Sequence, residues 1–151
     1  MSFFNFFKKN KKEVNIEEAL ELMRVFSTQP IEAALGDINK NGTFQPFGAI
    51  LTDDNTLQLI VYAPEKPIDQ REHATIIQKV IAKKFDEKTT QMAHYAFDGT
   101  AHLAEGDHDA ICVRVSHREA NLHQIHSYIY TKDENGFVTI DMENPRIINM
   151  K

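Results

Sequence analysis

Seven histidines are spread over the 151 residues, and five of them fall between His102 and His126. Imidazole is a metal ligand and also the side chain whose charge changes near neutral pH, so this stretch is the first place to look for chemistry. Pairing odd residues with odd residues around the loop Glu119-Ala120-Asn121 sets Ile111 opposite Ile129 and Val115 opposite Ile125. The same register brings His117 and His123 face to face. Cβ atoms across a strand pair stand about 4.5–5.5 Å apart, close enough for two imidazoles to share one zinc. A catalytic zinc needs three protein ligands and an open position, and a structural zinc needs four. No cysteine pair and no His-Glu-x-x-His string supplies the rest, while His123-x-x-His126 on a strand directs its rings to opposite faces. The pair therefore reads as two rim histidines at a hairpin end, and no bound metal or cofactor is expected.

His102, Glu105, Asp107, His108 and Asp109 form a compact acidic group ahead of a strand. Carboxylates and imidazoles at this density can hold a divalent cation or act as general acid and base. Their spacing matches no EF-hand loop, which needs ligands at alternate positions and a glutamate at its twelfth. The alternative is a solvated turn. Cys112 is the only cysteine, with Ala110 and Arg114 as its same-side neighbours. A nucleophilic cysteine needs a base in reach and an electropositive setting. Arg114 and His126 are the groups at hand for the second requirement, yet a mid-strand thiol reads more simply as packing. In the odd-with-odd register Tyr128 and Tyr130 share the face of Cys112, a face to be covered by a helix or a dimer partner. No glycine-rich phosphate loop, G-x-S-x-G elbow or dinucleotide fingerprint occurs.

The start of the chain has a different character. Phe3, Phe4, Phe6 and Phe7, four of the ten phenylalanines, are followed by Lys8, Lys9, Lys11 and Lys12. As a helix, residues 1–12 would gather Phe3, Phe4 and Phe7 on one side, with Lys8 and Lys9 next to them. That arrangement suits docking on a protein surface or contact with an anionic membrane; a frayed end is the third reading. From Glu13 onward, 13 of the 17 basic residues remain against all 22 acidic ones, a net charge of −9. Such a body repels phosphate backbones, so general nucleic-acid binding is not expected. A basic protein partner is electrostatically allowed. The lone cysteine suits a reducing compartment and no apolar run is long enough to span a bilayer, so a cytosolic location is expected.

These side chains must be positioned by one domain, residues 13–151, of ordinary apolar (42%) and charged (26%) content. Asn15 with Glu18 reads as a helix cap, and Ile16, Ala19, Leu20, Met23 and Phe26 recur at helical spacing. Gln29-Pro30 ends that helix, and Ile31 to Leu35 suggests a short second one closed by Gly36, with a loop over 37–42. Phe47–Leu51 and Leu57–Tyr62 flank Asp53-Asp54-Asn55-Thr56 as a hairpin. A turn at Asp54-Asn55 pairs Ile50 with Leu59 and Ala49 with Ile60, leaving both faces apolar and therefore covered. Asp69 caps a further helix with a stripe of His73, Ile77, Val80, Ile81 and Phe85. Met92–Phe97 reads as a strand ending in an Asp98-Gly99 turn. A meander follows through Ile111–Ser116, the strand of Ile125 and Ile129, and Phe137–Met142.

The expectation is an α+β single domain with a sheet of about five antiparallel strands, in the order α-β-β-α-β-β-β. That order resembles the roadblock and profilin-like group of small α+β domains. The strings Phe44-Gln45-Pro46-Phe47-Gly48-Ala49 and Asp109-Ala110-Ile111 are similar to those of small uncharacterised bacterial proteins of this layout. The resemblance implies a sheet used for binding or dimerisation and carries over no catalytic residue. The functional expectation is a non-enzymatic, homodimeric binding or regulatory module. An immunity-type or adaptor protein that neutralises a basic partner, and a metal-dependent hydrolase built on residues 102–109, stand as alternatives.

Overall fold

The computed structural model describes residues 15–150. Helix α1 (Ile16–Ser27) starts as its sequence dictates: the Asn15 side chain accepts from the Glu18 amide at 2.8 Å, and Leu22, Met23 and Phe26 are buried on one side. Helix α2 is longer than expected, running Ile31–Asn41. Gly36 lies inside it, and Gly42, at φ 83°, takes the left-handed cap and donates to Ile38 at 2.8 Å. Ile38 is the reason, because it extends the buried stripe of Ile31 and Ala34 by one turn. Asp69 caps α3 (Gln70–Asp86), accepting from the Glu72 amide, and α3 buries His73, Ile77 and Ile81; Val80 is exposed.

Seven strands, two more than expected, make one antiparallel sheet among the described residues: β1 (Phe47–Thr52), β2 (Leu57–Ile60), β3 (Thr90–Leu103), β4 (Gly106–His117), β5 (Leu122–Lys132), β6 (Val138–Ile140) and β7 (Arg146–Met150). Their order is β2-β1-β3-β4-β5-β6, and β7 pairs the other half of the outer edge of β5. The expected turn at Asp98-Gly99 is absent. β3 runs straight through it, because the Asp98 carboxylate accepts from Thr43 (2.7 Å) and Tyr130 (2.8 Å), and Gly99 leaves room for the Cys112 sulfur. Chain reversal comes instead before Gly106, at φ 132°.

Two registers differ by one residue from the sequence reading. In β1–β2, Ala49 pairs Leu59 and Ile50 pairs Gln58, because Thr52 and Thr56 close a wider connection with Asn55 in the left-handed region. In β4–β5, Ile111 pairs Tyr128 and Cys112 pairs Ser127. There the connection holds four residues, Arg118 to Asn121, with Asn121 left-handed, so every β5 side chain changes face.

α1 and α2 cover one face of the sheet. Phe26 and Met23 pack on Leu51, Met92 and Val115, while Ile31, Ala34 and Ile38 pack with Phe44, Ile111, Val113, Tyr128 and Tyr130. α3 covers only part of the other face, where Ile77 and Ile81 meet Ile50, Ile60 and Tyr95. Arg146 of β7 donates to the carbonyl of His102 on β3, although β4 and β5 lie between, so the sheet curls over this side. Ala101, Ala110 and Cys112 are buried there beside Phe97, Ile125 and Ile129, with no described helix among their packing partners. No described helix is long and apolar enough to cross a membrane.

Candidate functional site

Between the part of this face under α3 and its curled part lies a cleft lined by Gln78, Ile81, Ala82 and Phe85 of α3 and by Tyr95, Arg114, Ser116 and His123 of β3, β4 and β5. Strand alternation places these polar groups together: Tyr95 pairs Arg114 across β3–β4, and Ser116 pairs His123 across β4–β5. Tyr95 Oη donates to Gln78 Oε1 at 3.3 Å and receives Arg114 Nη1 at 3.5 Å. Ser116 Oγ and His123 Nδ1 are 2.8 Å apart. Burial, and then the Arg114 charge, hold the His123 imidazole below its usual pKa. Arg114 is half-buried and forms none of the ion pairs in the described residues, and no described carboxylate lines the cleft.

The opposite face holds a second polar group, fully enclosed. Ser27 Oγ donates or accepts at 2.5 Å with Tyr128 Oη, lies 3.1 Å from His126 Nδ1, and reaches the Arg24 carbonyl at 2.8 Å. His126 Nε2 meets Gln124 Oε1 at 2.8 Å, and Gln124 Nε2 donates to Asn149 on β7 at 2.8 Å. Burial drives the His126 pKa down to about 4. His94, its ring tilted against Phe26 with centroids 4.7 Å apart and bonded to Gln29 at 2.6 Å, is pushed to about 3 by the same cause. A serine beside an imidazole is the pattern of a nucleophile and its base. Here no substrate reaches it, since Ser27, His126 and Tyr128 are all buried. The group ties α1 to β5 and β5 to β7.

The sequence-derived residues are distributed differently from expectation. Tyr128 (1% exposed) and Tyr130 (5%) are core residues under the helices, on the face opposite Cys112, so neither offers a partner surface. His117 and His123 lie on opposite faces, because His117 pairs Leu122 and His123 pairs Ser116. His117 instead accepts from the Ala120 amide at 3.2 Å. His102 Nδ1 meets Asp107 at 2.8 Å, but His108 pairs Ala101 on the other face and approaches only Glu105, at 3.8 Å, while Asp109 pairs Thr100. No group of three metal-binding side chains comes together among the described residues. Cys112 is buried, its thiol pKa raised first by burial, and its polar neighbour is Ser127 at 3.5 Å rather than a base. Phe3, Phe4, Phe7, Lys8 and Lys9 lie outside the described residues.

Arg114, Tyr95, Gln78 and Ser116 are missed as a set by sequence reasoning. The available signal is a single cation set between Val113 and Val115 in an otherwise apolar strand. Ser27 and His126 carry no such signal, being 99 residues apart. No family model, no curated protein and no solved structure matches the chain.

Proposed function

We propose that the protein is a non-enzymatic, cytosolic interaction module that works as a homodimer joined through β7. One observation carries the reading: β7 is an edge strand with Ile147 (46%) and Ile148 (44%) both exposed, on opposite faces of the sheet. Exposed Phe137 and Met142 extend this apolar rim along the same border. Edge strands are usually blunted by lysine, proline or shortness; Ile147 and Ile148 blunt nothing. The far edge, β2, is only four residues long. An edge strand lying antiparallel to its own copy closes under a two-fold axis, with residue i of one chain meeting residue j of the other and j meeting i, so the interface is self-complementary and limited to two chains.

Sedimentation equilibrium tests the proposal. The expected result is a species of twice 17.3 kDa across micromolar concentrations, reduced to 17.3 kDa by Ile148→Lys with an unchanged circular dichroism spectrum. A wild-type protein that stays at 17.3 kDa throughout this range overturns it.

A further inference from the structure

We propose that the cleft between α3 and the β3–β5 strands is a binding site for a small apolar monocarboxylate, with Arg114 holding the carboxylate. The argument begins with charge. The described chain is rich in acidic residues, yet none lines this cleft, and Arg114 stands half-buried in it with a tyrosine hydroxyl at 3.5 Å as its polar contact. Cations removed from water are normally paired. A guanidinium carries five donors in a planar fork, a shape matched by a carboxylate taken bidentate.

The remaining donors converge on the same space. Gln78 uses its Oε1 on Tyr95, which leaves its amide NH2 to donate. With His123 Nδ1 accepting from Ser116, the tautomer places the proton on Nε2, a second donor at the cleft. One cation and two neutral donors suit a single negative charge, whereas a phosphate dianion calls for more positive charge or a helix N-terminus. The opposite wall is Ile81, Ala82 and Phe85, so the ligand's other end is apolar. A cavity of about 130 Å³ sets the scale at a branched aliphatic or single-ring acid.

The test is titration of the full chain with benzoate, isovalerate and inorganic phosphate, followed by amide and histidine NMR shifts. Saturable shifts at Arg114 and His123 are expected for the two carboxylates, with dissociation constants on the order of 1 mM or tighter, and none for phosphate. Arg114→Gln should weaken carboxylate binding about tenfold or more. Gln78→Ala, at an exposed helix position that leaves the fold intact, should weaken it less, and it keeps the test decisive if the arginine variant is unstable. Three results overturn the proposal: no saturable shift with either carboxylate, equal binding of phosphate, or full retention of binding in both variants.

Discussion

The two faces of the sheet treat their polar side chains in opposite ways. Under α1 and α2, Ser27, His126, Tyr128 and Gln124 are all enclosed, and each finds a partner inside the protein. On the α3 side, Arg114, Gln78 and His123 stand at an opening with donors to spare. A buried polar group without a partner costs about 1–3 kcal/mol, so the bonds among these four side chains hold them inside the protein and leave little to offer a ligand. The open set can remain incomplete because water reaches it. Serine and histidine lie side by side on both faces, at Ser27–His126 and at Ser116–His123, so that pairing does not tell the two apart; the half-buried arginine, without an ion-pair partner among the described residues, does.

The largest effect separating the faces should come from the apolar contacts beneath the enclosed set. Phe26 is fully buried, and Phe26→Ala should cost about 3–5 kcal/mol in urea unfolding. Ile129→Ala, at a half-buried position on the curled side, should cost well under half of that. Equal costs would mean that the two faces are equally tightly packed and would break the comparison.

Acid should act next, and mainly through the enclosed face. His94 and His126 have folded pKa values of about 3 and about 4, below the ordinary value of 6.5. The native state therefore binds fewer protons than the unfolded chain in this range. The contribution is complete above about pH 6.5 and is lost as pH falls toward 4 and then 3, a loss on the order of 3 kcal/mol for each ring by pH 4. Urea midpoints at about pH 7 and pH 4.5 measure it, and His126→Gln should flatten the slope. A pH-independent midpoint would mean that these rings are solvated.

The smallest effect sharpens the picture of the curled side. A Cβ at Gly99 would lie 2.7 Å from the Cys112 sulfur and 3.3 Å from the Phe97 ring. Gly99→Ala should cost about 1–3 kcal/mol, and adding Cys112→Ala should recover much of it, a coupling visible in a double-mutant cycle. Independent, additive costs would show that the sulfur is not what the glycine accommodates.

Local signals carried most of the secondary structure and little of the site. The caps at Asn15 and Asp69 are written in adjacent residues and appear where the spacing puts them. The α+β class follows from the same periodicities. Both hairpin registers depend on connections in which Asn55 and Asn121 take the left-handed conformation, and one residue more or less in the connection exchanges the faces. That single step separated His117 from His123 and buried Tyr128. Gly36 and Gly99 are stop signals by local propensity, yet both lie inside elements, because the buried contacts of Ile38 in one case and the close approach of Cys112 in the other outweigh it. β7 has too short an apolar pattern to stand out, and its place is set by pairing with β5.

The bonds from Ser27 to His126 and Tyr128 span 99 and 101 residues. During synthesis α1 leaves the ribosome long before β5 exists. At about 5–20 residues per second, the wait is roughly 5–20 s. For most of that interval Phe26 and Met23 lack Val115 of β4, and the Ser27 hydroxyl bonds its own helix or water. The β3–β4–β5 meander, made of near neighbours, can pair as soon as it emerges. The first described helix therefore waits for its full set of partners until the second half of the sheet is made.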